Sequence, residues 1–239
     1  MKVIAVASQK GGTGKTTLCG HLAVQAERMG AGPVALIDTD PQGSLSDWWN
    51  ARGAEAPAYV QTTLATLEPD LATLRDAGVQ LVFIDTPPAM TFAIVDVVKN
   101  ADLVLIPVRP SPHDLAAAGA TVDLVEKLGK PLVFIVNGAS PRARITSEAA
   151  IALSQHGTVA TGFVHHRSDF ASSMIDGRTV MELPRSARSG SEIETLWDYV
   201  ARRLERVPAS AEPIASAEPT RNAQPCMYDV DAASVELVG

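Results

Sequence analysis

The sequence predicts an α/β fold: a single domain built on a mostly parallel, twisted sheet with helices on both faces. Three observations predict it. Strand-like and helix-like segments alternate along most of the chain, as they do in proteins with parallel sheets. Several strand-like segments are continuous apolar runs, such as 81–84 and 132–136, which are typical of strands covered on both faces. A glycine-rich turn at residues 10–17 joins the first strand to the first helix.

The predicted strands and helices follow one another in a regular order. We predict strands at 2–7, 34–38, 57–60, 80–84, 102–108, 131–136 and 158–163. We predict helices at 16–29, 44–52, 65–77, 91–99, 113–128, 146–155, 168–176 and 191–206. The last helix shows its pattern clearly, because apolar residues recur there at helical spacing: Ile193, Leu196, Trp197, Val200 and Leu204.

The composition is ordinary for a soluble globular protein. Hydrophobic residues make up 46% of the 239 residues and charged residues 20%. No apolar run approaches the roughly 20 residues of a membrane span, and the first strand follows Met1 at once, so we expect neither a membrane anchor nor a signal peptide. The two cysteines, Cys19 and Cys226, lack the spacing of a disulfide or metal framework. These features favour a cytoplasmic protein.

The composition changes near residue 207. Residues 1–206 carry the alternating pattern, whereas residues 207–239 are rich in Pro, Ala, Ser and Glu and hold five acidic residues and one arginine. Such a segment buries too little apolar surface to fold alone. We therefore expect a disordered acidic tail, with a partner-binding peptide as the alternative.

The run at residues 10–17 has the features of a phosphate-binding loop. Its glycines let backbone N–H groups converge on phosphate oxygens, and the following helix adds its N-terminal donors. In such a loop Lys15 reaches the β- and γ-phosphates, and the Thr16 hydroxyl ligates Mg²⁺. We therefore expect a P-loop domain that holds a nucleotide through Gly11, Gly12, Thr13, Gly14, Lys15, Thr16 and Thr17. The loop departs from the usual spacing at one point: Gln9 occupies a glycine position, and a second lysine, Lys10, lies beside it.

Acidic residues end two of the predicted strands. Asp38 and Asp40 lie at the end of the strand at 34–38, and Asp85 follows the apolar run 81–84. The carboxyl ends of parallel strands meet at the edge of the sheet where ligands bind. One acid of the first pair can hold a magnesium-bound water and the other can orient an attacking water, while Asp85 takes the place of the acid that supports Mg²⁺ in phosphate-loop enzymes. For the first pair, a helix N-cap is the alternative.

Four segments together resemble one family. They are residues 10–17, 38–43, 83–88 and 107–114. The chain resembles the ParA/MinD family of deviant Walker-type ATPases, and within it the short ParA proteins, over residues 1–206.

The resemblance implies a homodimer in which two subunits sandwich ATP and Mg²⁺, with Lys10 of each subunit reaching the phosphates of the other. It implies catalytic roles for Lys10, Lys15 and Asp40, with Asp40 positioning the hydrolytic water. It also implies a metal site supported by Thr16, Asp38 and Asp85. For Lys10, a solvated loop charge is the alternative.

Two further segments acquire a role from the resemblance. In the family, the proline-rich segment 107–114 lies near the nucleotide base and the dimer interface, so Pro110 is a candidate nucleotide contact; a stiff connection is the alternative. The family also places an asparagine where Asn137 stands, next to the adenine edge. The alternative for Asn137 is a simple Asn-Gly turn.

The last part of the predicted domain, from residue 142 to 206, contains arginine but no lysine. All nine basic residues between positions 142 and 206 are arginines, and arginine contacts phosphate in a bidentate way. ATP-bound members of the family bind DNA without sequence preference, so the candidate DNA contacts are Arg167, Arg178, Arg185 and Arg188. Eight acidic residues share the segment, which leaves a solvated surface as the alternative. The net charge of −7 restricts any DNA-binding surface to a local patch.

The resemblance implies an ATP-driven, nucleoid-associated enzyme that segregates or positions a cargo. The cargo is a plasmid partition complex or a protein body such as a carboxysome, and a ParB-like or other small adaptor on it stimulates hydrolysis. One alternative is a regulator that binds a nucleotide without turnover. The other is membrane positioning of the MinD kind, which needs a basic amphipathic helix where this chain has the acidic segment 230–239.

Overall fold

The computed structural model describes residues 1–88, 92–184 and 187–207. Its strands β1 to β8 are Lys2–Val6, Val34–Asp38, Ala58–Val60, Leu81–Asp85, Leu103–Val108, Leu132–Ala139, Thr158–Val159 and Val164–His165. Its helices α1 to α8 are Lys15–Arg28, Ser44–Asn50, Leu67–Asp76, Phe92–Asn100, Pro112–Lys127, Arg144–Ser154, Ser168–Met174 and Ala187–Glu205. A short 3₁₀ helix, Val180–Glu182, lies between α7 and α8.

The sheet is parallel, as the sequence predicts. Its order is β3-β2-β4-β1-β5-β6-β7, and β8 pairs with the far end of β6. Strand β1 lies in the middle of the sheet, between β4 and β5. Strands β2 to β4 lie on one side of it and β5 to β7 on the other. In the pairing of β2 with β4, Asp38 lies opposite Asp85. The predicted acids therefore meet at the carboxyl edge of the sheet, next to the loop that follows β1.

Each face of the sheet packs against its own set of helices. Alternate side chains of β1 separate to the two faces: Ile4 joins the core under α1, α2, α7 and α8, and Val3 joins the core under α3, α4, α5 and α6. Phe83 is fully buried on the first side, where its ring lies 6.3 Å from that of Trp197 in α8. Burial of both faces explains the continuous apolar runs in the sequence.

The predicted strand at 158–163 is wrong. The structure has two two-residue strands there, β7 and β8, and the chain turns away from the sheet between them. Gly162 has φ 92°, a left-handed value that interrupts an extended strand. Both short strands still pair with β6, since the Ala160 N–H donates to the Phe134 carbonyl and the His166 N–H to the Ala139 carbonyl.

The other element boundaries differ from prediction by a few residues. The largest difference is at α8, which begins at Ala187 rather than 191, and the additional turn includes the buried Ser189, whose hydroxyl donates to Asp169 at 2.7 Å. No helix in the described ranges is both long and apolar enough to cross a membrane. The predicted acidic tail lies outside the described residues, apart from Val207.

Candidate nucleotide site

The loop between β1 and α1 has the backbone conformation that a phosphate-binding loop requires. Gly12 and Gly14 have φ values of 72° and 92°, which non-glycine residues rarely adopt. Gly14 precedes the first turn of α1, and no side chain caps that turn. The first N–H groups of the helix therefore point to the carboxyl edge of the sheet, where an anion would satisfy them.

Asn137 holds this loop from the end of β6. Its amide Nδ2 donates to the Thr13 carbonyl at 2.6 Å. A Cβ atom on Gly14 would lie 2.2 Å from the same nitrogen, so the contact also requires glycine at this position. The contact gives Asn137 a structural role that the sequence did not reveal, while the predicted contact with adenine stays a prediction.

Lys15 extends into the site as a buried cation. Its side chain is 7% exposed, and among the described residues its ammonium makes no hydrogen bond or ion pair. Burial lowers the pKa of Lys15, while the nearby carboxylates of Asp85 and Asp40 oppose that shift. Lys15 also lines the main cleft, where nucleotide phosphates would supply an anion for its ammonium.

Asp85 lies at the centre of the predicted metal site. The Thr16 hydroxyl donates to its Oδ2 at 2.5 Å, while its Oδ1 is buried without a hydrogen-bond partner in the described part of the chain. Burial raises the pKa of Asp85 to about 7; the bond from Thr16 opposes that shift, and the charge of Asp38 adds to it. A carboxylate with one free oxygen beside a hydroxyl suits a hard cation such as Mg²⁺.

These groups fit Mg²⁺ only together with a nucleotide. No cluster of three or more His, Cys, Asp or Glu side chains in the described ranges could hold a metal ion alone. Mg²⁺ is commonly bound by one or two protein groups, with water and phosphate oxygens as the remaining ligands. Thr16 and Asp85 match that pattern.

Asp38 binds the protein backbone with both carboxylate oxygens. Its Oδ1 accepts from the Asp40 N–H at 2.9 Å, and its Oδ2 accepts from the N–H groups of Leu45 and Ser46 at 3.0 and 3.2 Å. Asp38 therefore accepts from N–H groups in the first turn of α2, although the residue at the N-cap position is Gly43. Its support of the metal stays a prediction, and its role in fixing the loop that carries Asp40 is visible.

Asp40 faces the main cleft of the molecule. This cleft has a volume of about 730 Å³ and is lined by the phosphate loop, by Asp40 and by Ile175 at the end of α7. The Gln42 N–H donates to the Asp40 Oδ1 at 3.0 Å, which leaves the other oxygen directed to solvent or ligand. The position suits a group that orients a water molecule beside a bound nucleotide.

A smaller cavity of about 200 Å³ adjoins the loop on its other side. It is lined by residues at the start of α1, at the end of β6, in β8 and from there into α7: Gly14, Thr17, Leu18, Asn137, Gly138, Val164, His165, His166, Arg167, Phe170 and Ala171. Arg109 lines both this cavity and the main cleft. Sequence reasoning missed Arg109, although it lies in the segment 107–114 directly after β5. Pro110 follows it, half-buried.

Lys10 is bound within its own chain. Its ammonium lies 2.7 Å from the Oδ2 of Asp114 in the first turn of α5. The main-chain carbonyl of Lys10 accepts from the Thr13 hydroxyl at 3.4 Å, and the neighbouring Gln9 N–H donates to Thr121 at 3.3 Å. Lys10 is therefore paired within the chain, and its predicted reach to the phosphates of a second subunit stays a prediction.

The four arginines predicted to contact DNA have different environments. Arg167 is bonded to Glu192 at 2.6 Å and lines the smaller cavity, which places it beside the phosphate loop. Arg178 pairs with Asp176 at 2.6 Å on the surface. Arg188 is exposed in the first turn of α8, and Arg185 lies outside the described residues.

Residues 4–180 match the family model described as the CobQ/CobB/MinD/ParA nucleotide binding domain. The chain is 30% identical over 198 residues to "Maintenance of carboxysome distribution protein A" of Halothiobacillus neapolitanus, covering 79% of this chain and 91% of that protein. It is 34% identical over 212 residues to the protein of the same name from Gloeobacter kilaueensis, covering 86% and 94%.

Solved structures share the fold. An ATP complex of a Cyanothece McdA variant superposes with a TM-score of 0.72 at 17% identity, covering 84% of this chain and 96% of that one. The septum site-determining protein MinD of Pyrococcus horikoshii, complexed with Mg-ADP, gives a TM-score of 0.70 at 16% identity, covering 88% and 99%. Proteins of this fold thus bind ATP and Mg-ADP.

Proposed function

This chain belongs to the CobQ/CobB/MinD/ParA family of nucleotide-binding proteins, and from that premise we propose that it is a dimerising ATPase of the ParA type that positions a cargo. The observation that carries the proposal is the pair of lysines in one phosphate loop. Lys15 lines the main cleft without a bonded anion among the described residues, and Lys10 of the same loop is held in an ion pair. Two cations beside one triphosphate would stabilise the charge that develops on the β–γ bridging oxygen.

Within one subunit, the loop glycines and Lys15 would bind the phosphates. Thr16 and Asp85 would hold Mg²⁺, which neutralises charge on the β- and γ-phosphates. Asp40, on the wall of the main cleft, would orient the attacking water. Asp38 keeps Asp40 in place through the loop and the first turn of α2.

Between subunits, Lys10 would make hydrolysis depend on dimerisation. A cation supplied in trans acts as an arginine finger does, because the site is incomplete until the second chain arrives. The face that carries the main cleft would then be the dimer face. Support for this arrangement comes from family membership and from the place of Lys10 in the chain, next to Gly11, which lines that cleft.

The cargo is proposed from the relatives. Two matching proteins are named for the maintenance of carboxysome distribution, and the chain covers more than nine-tenths of each. We propose a protein body of that kind as cargo, with a plasmid partition complex as the second possibility. The ATP-bound dimer would bind DNA without sequence preference, and a small adaptor on the cargo would stimulate hydrolysis and release.

Retention on DNA and ATP turnover together test this function. The full chain and Lys15→Gln are compared with ADP and with ATP, and Lys127→Gln, an exposed lysine at the end of α5, serves as the control of equal charge. We expect DNA retention and turnover in ATP for the wild type and the control, and neither for Lys15→Gln. Equal retention on DNA in ADP and in ATP would contradict control of DNA binding by the bound nucleotide. ATP turnover indistinguishable from buffer, with DNA and the adaptor present, would favour a regulator that does not hydrolyse ATP.

A further inference from the structure

The ion pair of Lys10 with Asp114 joins the phosphate loop to α5. The Lys10 side chain is 38% exposed and the Asp114 side chain 6% exposed, so the pair lies at the edge of the protein interior. The Ser111 hydroxyl donates to the same Oδ2 that Lys10 contacts, and the Asp114 N–H donates back to the Ser111 oxygen at 3.2 Å. Ser111 is the N-cap of α5, so the carboxylate is fixed by the start of that helix.

The carboxylate of Asp114 is charged and has few other donors. Burial acts to raise its pKa, but the hydrogen bonds from Lys10 and Ser111 and the charges of Lys10 and Arg109 more than offset this, so the pKa of Asp114 lies below its ordinary value. Its second oxygen, Oδ1, is buried with no hydrogen-bond partner among the described residues. Lys10 is therefore the ammonium that compensates a largely buried charge.

In the proposed dimer, the Lys10 ammonium would exchange this carboxylate for the phosphates of a second subunit. The backbone around Lys10 is bonded on both sides, through Gln9 to Thr121 and through the Lys10 carbonyl to Thr13. These two bonds restrain the backbone on both sides of Lys10, so we expect the exchange to involve its side chain. The position of Lys10 at Asp114 competes with its position at the phosphates of the second subunit. A stronger Lys10–Asp114 ion pair therefore lowers the affinity of one subunit for the other.

We propose that Asp114 is a positioning residue that holds Lys10 within its own chain and so sets how readily Lys10 transfers to a second copy of this chain. The proposal rests on the proposed function, because it takes the other position of Lys10 to be at the partner's nucleotide. Each dimer needs two such transfers. Holding Lys10 in this way keeps the basal rate of dimerisation, and hence of ATP turnover, low.

The release of Lys10 is reversible because Asp114 keeps other support. The Ser111 hydroxyl still donates to the carboxylate, and the N-terminal end of α5 favours a negative charge in its first turn. Loss of the pair therefore does not leave Asp114 without compensation, so Lys10 can leave and return.

Asp114→Asn in the full chain tests the proposal. Asparagine keeps the volume of the side chain, and Ser111 still accepts from the backbone N–H of residue 114. The control is Asp123→Asn, which removes the same charge from an exposed position on α5. Dimerisation is measured by sedimentation velocity against ATP concentration, and basal ATPase is measured in parallel. We expect Asp114→Asn to lower the dimer dissociation constant about tenfold, which corresponds to about 1.4 kcal/mol, and to raise basal turnover.

A second measurement reports on Lys10 directly. The rate at which an amine-reactive label modifies Lys10 is measured by mass spectrometry without nucleotide, relative to Lys127 of the same chain. We expect a faster reaction of Lys10 in Asp114→Asn and no change in Asp123→Asn. Unchanged labelling of Lys10, or an unchanged or weakened dimer in Asp114→Asn, would overturn the proposal.

Lys10→Ala separates this proposal from the proposed function. If Lys10→Ala loses ATP turnover and Asp114→Asn leaves dimerisation unchanged, the role of Asp114 fails and the function stands. If Lys10→Ala keeps full ATP turnover, the proposal that Lys10 acts on the nucleotide of the second subunit fails, and the proposed role of Asp114 fails with it.

Discussion

Among single residues, Asp40 is the one whose proposed role would separate ATP binding from ATP hydrolysis. Asp40 lines the main cleft, whereas the phosphate loop and Lys15 are the proposed contacts for the nucleotide. We expect Asp40→Ala to bind ATP and dimerise while turnover falls about 10²- to 10⁴-fold, the usual contribution of a group that activates water. Turnover under saturating ATP measures this, with Asp76→Ala, an exposed acid at the end of α3, as the control. A loss of ATP binding in Asp40→Ala would show that the residue is structural.

Two buried groups give opposite pH dependences of stability. Burial lowers the pKa of His21 to about 4, and its Nε2 accepts from the Val180 N–H, so its neutral form stabilises the fold. That stability is complete above the unfolded pKa near 6.5 and is lost as pH falls toward 4. Burial raises the pKa of Asp85 to about 7, so its contribution is present at low pH and is lost as pH rises from about 4 to 7.

Asp85→Asn should therefore remove the opposing effect of Asp85 and leave the increase of stability with pH that His21 produces. In EDTA, we expect the free energy of unfolding of the variant to rise between pH 4.5 and 7 relative to the wild type, by on the order of 3 kcal/mol. Urea denaturation at several pH values measures the difference. Parallel curves for the two proteins would contradict the environment that the structure gives Asp85.

Gly11 to Thr16 and Asp85 were candidates because each lies in a short motif that follows a predicted strand. The contact between Thr16 and Asp85, which are 69 residues apart, depends on the order of the strands in the folded sheet. The partners of Asn137 and Lys10 could not be predicted, because Thr13 is 124 residues from Asn137 and Asp114 is 104 residues from Lys10. Arg109 was missed for a similar reason, since only the folded sheet brings the end of β5 next to the phosphate loop.

Among the secondary-structure elements, α2 links the loop of Asp40 to the segment before α8. Arg52, just after α2, pairs in a bidentate way with Glu182 at 2.7 and 2.9 Å and donates to the Gly177 carbonyl. Trp48 of α2 donates to the Arg178 carbonyl at 3.1 Å. A displacement of α2 would therefore be transmitted to the segment that carries Arg178.

Gly177→Ala tests this packing. Gly177 has φ 75°, and a Cβ atom there would lie 2.3 Å from the Arg52 backbone. Gly78 has a similar φ of 85° with no atom within 4 Å of such a Cβ, so Gly78→Ala is the matched control. We expect the control to lose about 1 kcal/mol of unfolding free energy and Gly177→Ala to lose about 3 kcal/mol or more. Equal losses would show that the two segments are not in close contact.

The types of the predicted elements could be inferred because the spacing of apolar residues that distinguishes a helix from a strand lies within each element. The exception was the segment 158–163, where apolar residues suggested one strand and the structure has two short strands around a turn. Gly162 was the signal available, but glycine also occurs within strands, so the turn depended on how the segment meets the irregular end of β6.

At the level of the whole molecule, DNA binding would depend on a local basic patch in an acidic protein. We expect Arg188→Ala to weaken ATP-dependent DNA binding and to reduce the slope of log K against log salt by about one. Arg178→Ala should have a smaller effect, since Arg178 is already paired with Asp176. Arg75→Ala, exposed on α3, is the control. Identical salt slopes for all three variants and the wild type would place DNA binding elsewhere.

Mixing two inactive variants tests most directly whether Lys10 acts on the other subunit. Lys10→Ala keeps Asp40, and Asp40→Ala keeps Lys10, so a mixed dimer contains one complete site only if Lys10 acts in trans. Random pairing at equal amounts makes about half of the dimers mixed, and we expect the mixture to recover about a quarter of the wild-type ATPase rate, although each variant alone is inactive. An inactive mixture whose mixed dimers are demonstrably formed would contradict catalysis shared between two chains.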